Sequence, residues 1–204
     1  MATSVLLLSR SNQIKTDLFI LAAILVSISI FAGHADIVLL LSWLLVALYT
    51  SFTHRNISFI HLILSTIIAI CWVYIARENY GYNHKYITVS DVNILPVLAW
   101  SLGLLGVSEI FNHFRSKSRV LNFILFIPVF WFLLLLIETY AFHVIEIRDT
   151  MSGNTIGLPF CNCLHAPWWM RIVYFSLGPA YYALTLLADF LFLRYTGPIH
   201  KPDQ

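Results

Sequence analysis

Carboxylates, imidazoles and tyrosines are the side chains here best suited to moving protons, and they recur in one order. Arg77-Glu78-Asn79-Tyr80-Gly81-Tyr82-Asn83-His84 closes one apolar stretch, and Glu138-Thr139-Tyr140-Ala141-Phe142-His143 closes another. Each copy runs on to a Leu-Pro pair (Leu95-Pro96, Leu158-Pro159) and then to a tryptophan, Trp100 or Trp168. Ionisable groups are costly beside hydrocarbon, so a chain that places them there twice points to a use for them. A carboxyl at that boundary can carry a proton near neutral pH, as a general acid must. Glu78 and Glu138 are therefore the candidate acid and base, with His84 and His143 assisting. Tyr80, Tyr82, Tyr140, Trp100 and Trp168 are the candidate pocket lining, since ring faces stabilise a developing cation. Each residue also has a plain structural reading. The glutamates can pair with Arg77 or Arg148, and the aromatics can form an interfacial belt.

Cys161-Asn162-Cys163-Leu164-His165 sets two thiols and an imidazole at alternating positions, which share one side of an extended segment. A soft metal could use Cys161, Cys163 and His165. The spacing is not that of a standard zinc site, however, and a redox-active or structural thiol pair fits it better. Glu109 and Asp189 are expected to pair with cations near their helix ends, Glu109 with Arg115 or His113 and Asp189 with Arg194. His61 falls within an apolar face, where a hydrogen bond between helices explains it as well as a ligand does. Pro128 and Pro179 should kink their helices, and Gly178-Pro179 beside Tyr181-Tyr182 is a natural place for a pocket to open. Gly103 and Gly106 read as close helix contacts.

The elements that must position these residues follow from composition. With 59% hydrophobic and 11% charged residues and a mean hydropathy of +0.81, the chain cannot cover a soluble globule with polar side chains. Apolar runs at about 17–33, 37–53, 58–76, 94–112, 120–144 and 171–194 each suffice to cross a bilayer. The expected fold is all-α, a polytopic bundle of about six transmembrane helices forming one integral membrane domain over residues 1–204. The first span reads as retained, not as a cleaved signal peptide. Lysine and arginine placement puts both termini in the cytoplasm: Arg10, Lys15, Arg55, Arg115, Lys117, Arg119, Arg194 and Lys201 fall inside, against Arg77, Lys85, Arg148 and Arg171 outside. Both Glu-aromatic-His segments then face outward, in a cell membrane. Spans three and four match spans five and six as parallel helical hairpins.

Missing patterns narrow the function. The sequence holds no phosphate-cradling glycine loop, no HExxH, no GxSxG and no histidine pair spaced to hold haem between helices. A net charge of +2 gives no basis for nucleic-acid binding.

A glutamate closing a helix, an aromatic loop, and a helix opening with Leu-Pro and Ala-Trp, from Glu78 to Trp100 and again from Glu138 to Trp168, resembles the small multi-span carotenoid-biosynthesis proteins of bacteria. These are the carotenoid hydratases and the small-subunit type of lycopene cyclase. The Pro-Glu-Glu cluster associated with those cyclases is missing here. The resemblance covers the last two thirds of the chain and implies a cofactor-independent lyase or isomerase. In such an enzyme an acid protonates an isoprenoid double bond in a dry, aromatic pocket. The expected partner is a membrane lipid or another apolar small molecule. Two other classes stand beside this reading. One is a non-catalytic membrane subunit or small transporter, docking a membrane protein or a second copy of itself through the long loops. The other is a thiol- or metal-dependent redox protein.

Overall fold

The computed structural model describes residues 10–116, 118–150 and 155–196. Among these, six long helices carry the fold: α1 (Arg10–Ile30), α2 (Ala35–Phe52), α3 (Asn56–Ile75), α4 (Ile94–Asn112), α5 (Arg119–His143) and α6 (Trp168–Thr196). All six are long and apolar enough to cross a membrane, over 12–30, 32–52, 56–75, 94–112, 119–143 and 168–192. The protein is an all-α polytopic membrane protein. Large side chains such as Phe132, Leu45 and Ile70 point outward, where lipid tails solvate them. Lys117 and Lys201, two of the cations behind the expected orientation, lie outside the described residues.

One end of the bundle is made of tight turns. Thr53–Arg55 joins α2 to α3, and residues 113–118 join α4 to α5. In the second turn Asn122 accepts from Ser116 N at 2.7 Å and donates to Ser116 O at 2.9 Å, while Ser118 caps α5 by accepting from Leu121 N. The other end gathers the long loops. There Asn93 caps α4 by accepting from Leu95 N at 2.9 Å, and Pro96 sits in the first turn, where a missing N–H goes unnoticed.

The two long loops pair with each other. Tyr82 bridges Asp149 in antiparallel fashion, Asn83 N donates to Arg148 O at 3.1 Å, and Arg148 N donates to Asn83 Oδ1 at 3.0 Å. The first loop also folds a hairpin, β1 (Thr88–Val89) with β2 (Val92–Asn93). Its turn residues Ser90 and Asp91 have φ of 49° and 63°, the positive values that a two-residue primed turn demands. Asp36 accepts from Ile87 N at 2.8 Å and Tyr86 donates to Ala32 O at 2.9 Å, tying this loop to the start of α2.

Helices α3 and α4 pack most extensively, and polar bonds join them because lipid offers little hydrophobic drive for association. Ser101 bonds Ser65 at 3.3 Å and Thr66 at 2.7 Å, and Trp43 of α2 donates to Thr66 at 3.0 Å. The main core lies among α3 to α6, around Trp72, Leu104, Phe126, Phe130, Met170 and Tyr182. The glycines work opposite to expectation. A Cβ on Gly178 would stand 2.3 Å from the Phe130 ring, so this glycine lets α5 and α6 close up and fills the place where a pocket was expected. A Cβ on Gly103 or Gly106 would meet nothing within 4 Å; these two face open space, not a neighbouring helix.

Candidate functional site

That open space is a membrane-embedded groove of about 270 Å³, bounded by α1, α2, α4 and the loop end of α5. Its walls are aliphatic, with Ile20, Ile24, Leu39, Leu95 and Leu102 among them, and Gly103 and Gly106 deepen it. No residue of α1 between 12 and 30 is buried, since its inner side borders the groove and its outer side faces lipid. Leu95 and Glu109, which line opposite ends, are separated along α4 by roughly 20 Å at the helical rise. A hydrogen bond of 2.6 Å between Ser29 and Tyr140 latches α1 to α5.

Glu138 sits on the groove wall at the loop end, with Tyr82 and Ile147. It also lines a smaller cavity of about 90 Å³ between α4 and α5, together with Trp100 and Phe130. No hydrogen bond or ion pair engages Glu138 among the described residues, so its carboxyl is available to whatever occupies the cavities. Glu78 is placed differently. Helix α3 stops at Ile75, and Glu78 falls in a 3-10 turn past its end, exposed and away from both cavities. Helix α5 continues to His143, so Glu138 remains on a regular helix whose face points inward. The matched glutamates therefore do not converge.

Behind Glu138 lies a set of hydrogen-bonded aromatics. Tyr80 Oη accepts from Trp72 Nε1 at 3.0 Å and from Trp100 Nε1 at 3.1 Å. With both acceptor positions used, its own proton goes to Tyr174 Oη at 2.9 Å, which leaves the Tyr174 proton free to point elsewhere. Removal from water holds the loop phenols of Tyr80 and Tyr82 above the ordinary tyrosine value, so both remain neutral donors.

The remaining expected residues spread out. Tyr140 binds Ser29, and His143 Nε2 donates to the carbonyls of Cys161 and Asn162 at 3.2 and 3.1 Å. His84 tilts against Tyr86. Trp168 is 74% exposed; its neighbour Trp169 packs on Trp72 instead. Cys161 and Cys163 form a disulfide, and His165 is stacked on Phe142 with its nitrogens against the carbonyls of Thr155 and Asn162. Both sulfurs being bonded to each other, they offer no thiolate to a metal.

The tight-turn end of the groove holds an ionic cluster that the sequence pairings did not anticipate. Arg55 donates to Asp17 at 2.8 and 3.3 Å and to Glu109 at 2.6 Å, and His113 donates to Asp17 at 3.2 Å. Burial opposes the charge on Arg55, but the two carboxylates outweigh it and its pKa is raised. Asp189 takes His61 at 2.9 Å and Arg115 at 3.9 Å as partners, while the Arg194 side chain is outside the described residues. The turn that carries Arg55 had no signal of its own in the sequence, because a lone arginine between two spans reads as a topology marker.

The chain matches no protein family, no curated protein and no solved structure.

Proposed function

We propose that this is an integral membrane enzyme performing acid-base chemistry on a lipid or isoprenoid-like molecule held in the groove, with Glu138 as its working acid. The observation that carries this reading is the unpartnered carboxyl of Glu138 at the loop end of a mainly aliphatic groove, away from the ion-paired Asp17, Arg55 and Glu109 at the other end. Glu138 gives its proton to one carbon of a double bond, forming a C–H bond and leaving a cation on the other carbon. Tyr82 lines the groove beside Glu138 and Trp100 lines the smaller cavity that Glu138 also borders, so an aromatic ring is at hand on either side to stabilise the charge. The carboxylate then removes a proton from an adjacent carbon and the double bond re-forms one place along. Atoms and charge balance with Glu138 alone, without Glu78 and without a cofactor. We place the termini in the cytoplasm of a cell membrane and the paired loops outside, where the Cys161–Cys163 disulfide suits an oxidising compartment.

The test is to express the wild type and its Glu138→Gln variant in one host and compare chromatograms of the apolar lipid extracts. The wild type is expected to change the profile and the variant, folded to the same level, to leave it as in the empty host. An equal change from both would contradict the proposal.

A further inference from the structure

We infer that the groove selects an apolar chain bearing a hydrogen-bond donor, a hydroxyl or an ammonium, and turns away chains that end in a carboxylate or phosphate. This rests on the groove being the ligand site and adds the end group it accepts.

Arg55 is the only cation among the described groove-lining residues, and its terminal N–H groups are already committed. Nη1 donates to Asp17 Oδ1 at 2.8 Å and to Tyr49 Oη at 3.3 Å; Nη2 donates to Asp17 Oδ2 at 3.3 Å and to Glu109 Oε2 at 2.6 Å. Those four bonds use all four hydrogens on the two terminal nitrogens. An anionic end group would have to displace the Tyr49 phenol or a carboxylate held by a bidentate or short charge-assisted bond.

What the groove leaves open at its tight-turn end is an acceptor: Oε1 of Glu109 has no partner among the described residues. Three carboxyl groups, Asp17, Glu109 and Glu138, share the wall with the single guanidinium. The wall hydroxyls of Tyr82, Thr50 and Ser58 are neutral and set no positive charge against an anion; Thr50 already donates to Val46 O. In a site of low polarity a second anion meets the repulsion of the carboxylates there, and neutral hydroxyl donors offset only part of it. A donor meets the opposite situation, since a site built of buried acceptors rejects analogues that cannot fill them. With the donor bound at Glu109, the groove's length carries the far end of the chain to Glu138.

The experiment uses the full chain in zwitterionic lipid nanodiscs, labelled with a photoreactive alkyl alcohol whose cross-links are mapped to groove peptides. Hexadecanol, hexadecylamine, hexadecanoate and hexadecyl phosphate then compete for labelling. The alcohol and the amine should compete at concentrations about tenfold or more below those of the two anions, the margin of one charge-assisted hydrogen bond. In Glu109→Gln, which removes one of the two negative charges that neutralise Arg55, hexadecanoate should gain about tenfold relative to hexadecanol. Anions competing as well as the alcohol in the wild type would overturn the selectivity, as would an unchanged ranking in a folded Glu109→Gln. Should that variant not fold, the wild-type ranking alone decides. If the wild type labels nowhere in the groove, the ligand site itself is wrong and the selectivity falls with it.

Discussion

Arg55 joins two acids from different helices through its terminal nitrogens while 16% exposed, and its removal would leave Asp17 and Glu109 without the guanidinium that joins them. Arg55→Met should destabilise the protein by about 3–5 kcal/mol, as expected when one member of a buried ion pair is lost. Arg55→Lys should recover part of this only, because an ammonium cannot reproduce the forked geometry; thermal unfolding in detergent micelles measures both. A second expectation concerns Tyr86, whose phenol is pushed up to about 12 by burial and by the Asp36 carboxylate, against 10.0 ordinarily. The folded state prefers the neutral phenol, so its contribution is whole below pH 10 and disappears as pH rises from 10 to 12. Alkaline unfolding should therefore be shallower in Tyr86→Phe than in the wild type across that interval. At this scale the sequence was a partial guide. It singled out Glu138, Tyr80, Tyr82 and Trp100, but it gave Glu78 equal standing because matched strings do not reveal that one helix stops three residues earlier than its glutamate. Nor could it separate Trp168 from Trp169, whose exposure depends on the helix phase after Pro167.

Helices α5 and α6 touch where Gly178 meets the ring of Phe130. Gly178→Ala should lower stability by about 1–3 kcal/mol, the usual range for overpacking, despite alanine's better helix propensity. Pairing it with Phe130→Leu should restore part of the loss if the clash is the cause, and unfolding midpoints of the two single variants and the double variant decide this. The spans themselves were legible from apolar length alone, since hydrocarbon thickness dictates the run each helix needs. Their ends shifted by a few residues, as at α1, because polar residues such as Asn12 and Lys15 continue the helix beyond the apolar run. Which glycines touch a helix and which line a void was not legible, because a glycine permits close approach without requiring it.

The whole molecule is a bundle with an ionic cluster at one end, paired loops at the other, and an apolar groove between them behind a helix that buries no residue between 12 and 30. Its loop-rich end followed from the sequence, which gathered tyrosines, acids and histidines into two long connections. The groove did not, because it is made by what α4 lacks at Gly103 and Gly106. Those same positions allow the most direct measurement of the central claim, that the groove holds an apolar ligand. Gly106→Leu extends a side chain into open space and should leave the melting temperature within a few degrees of the wild type while occupying the cavity. Native mass spectrometry of the purified proteins, released from micelles, reads the bound molecule directly. The account predicts a retained apolar adduct on the wild type and its loss from a folded Gly106→Leu; an equal adduct on both, or none on the wild type, would contradict it.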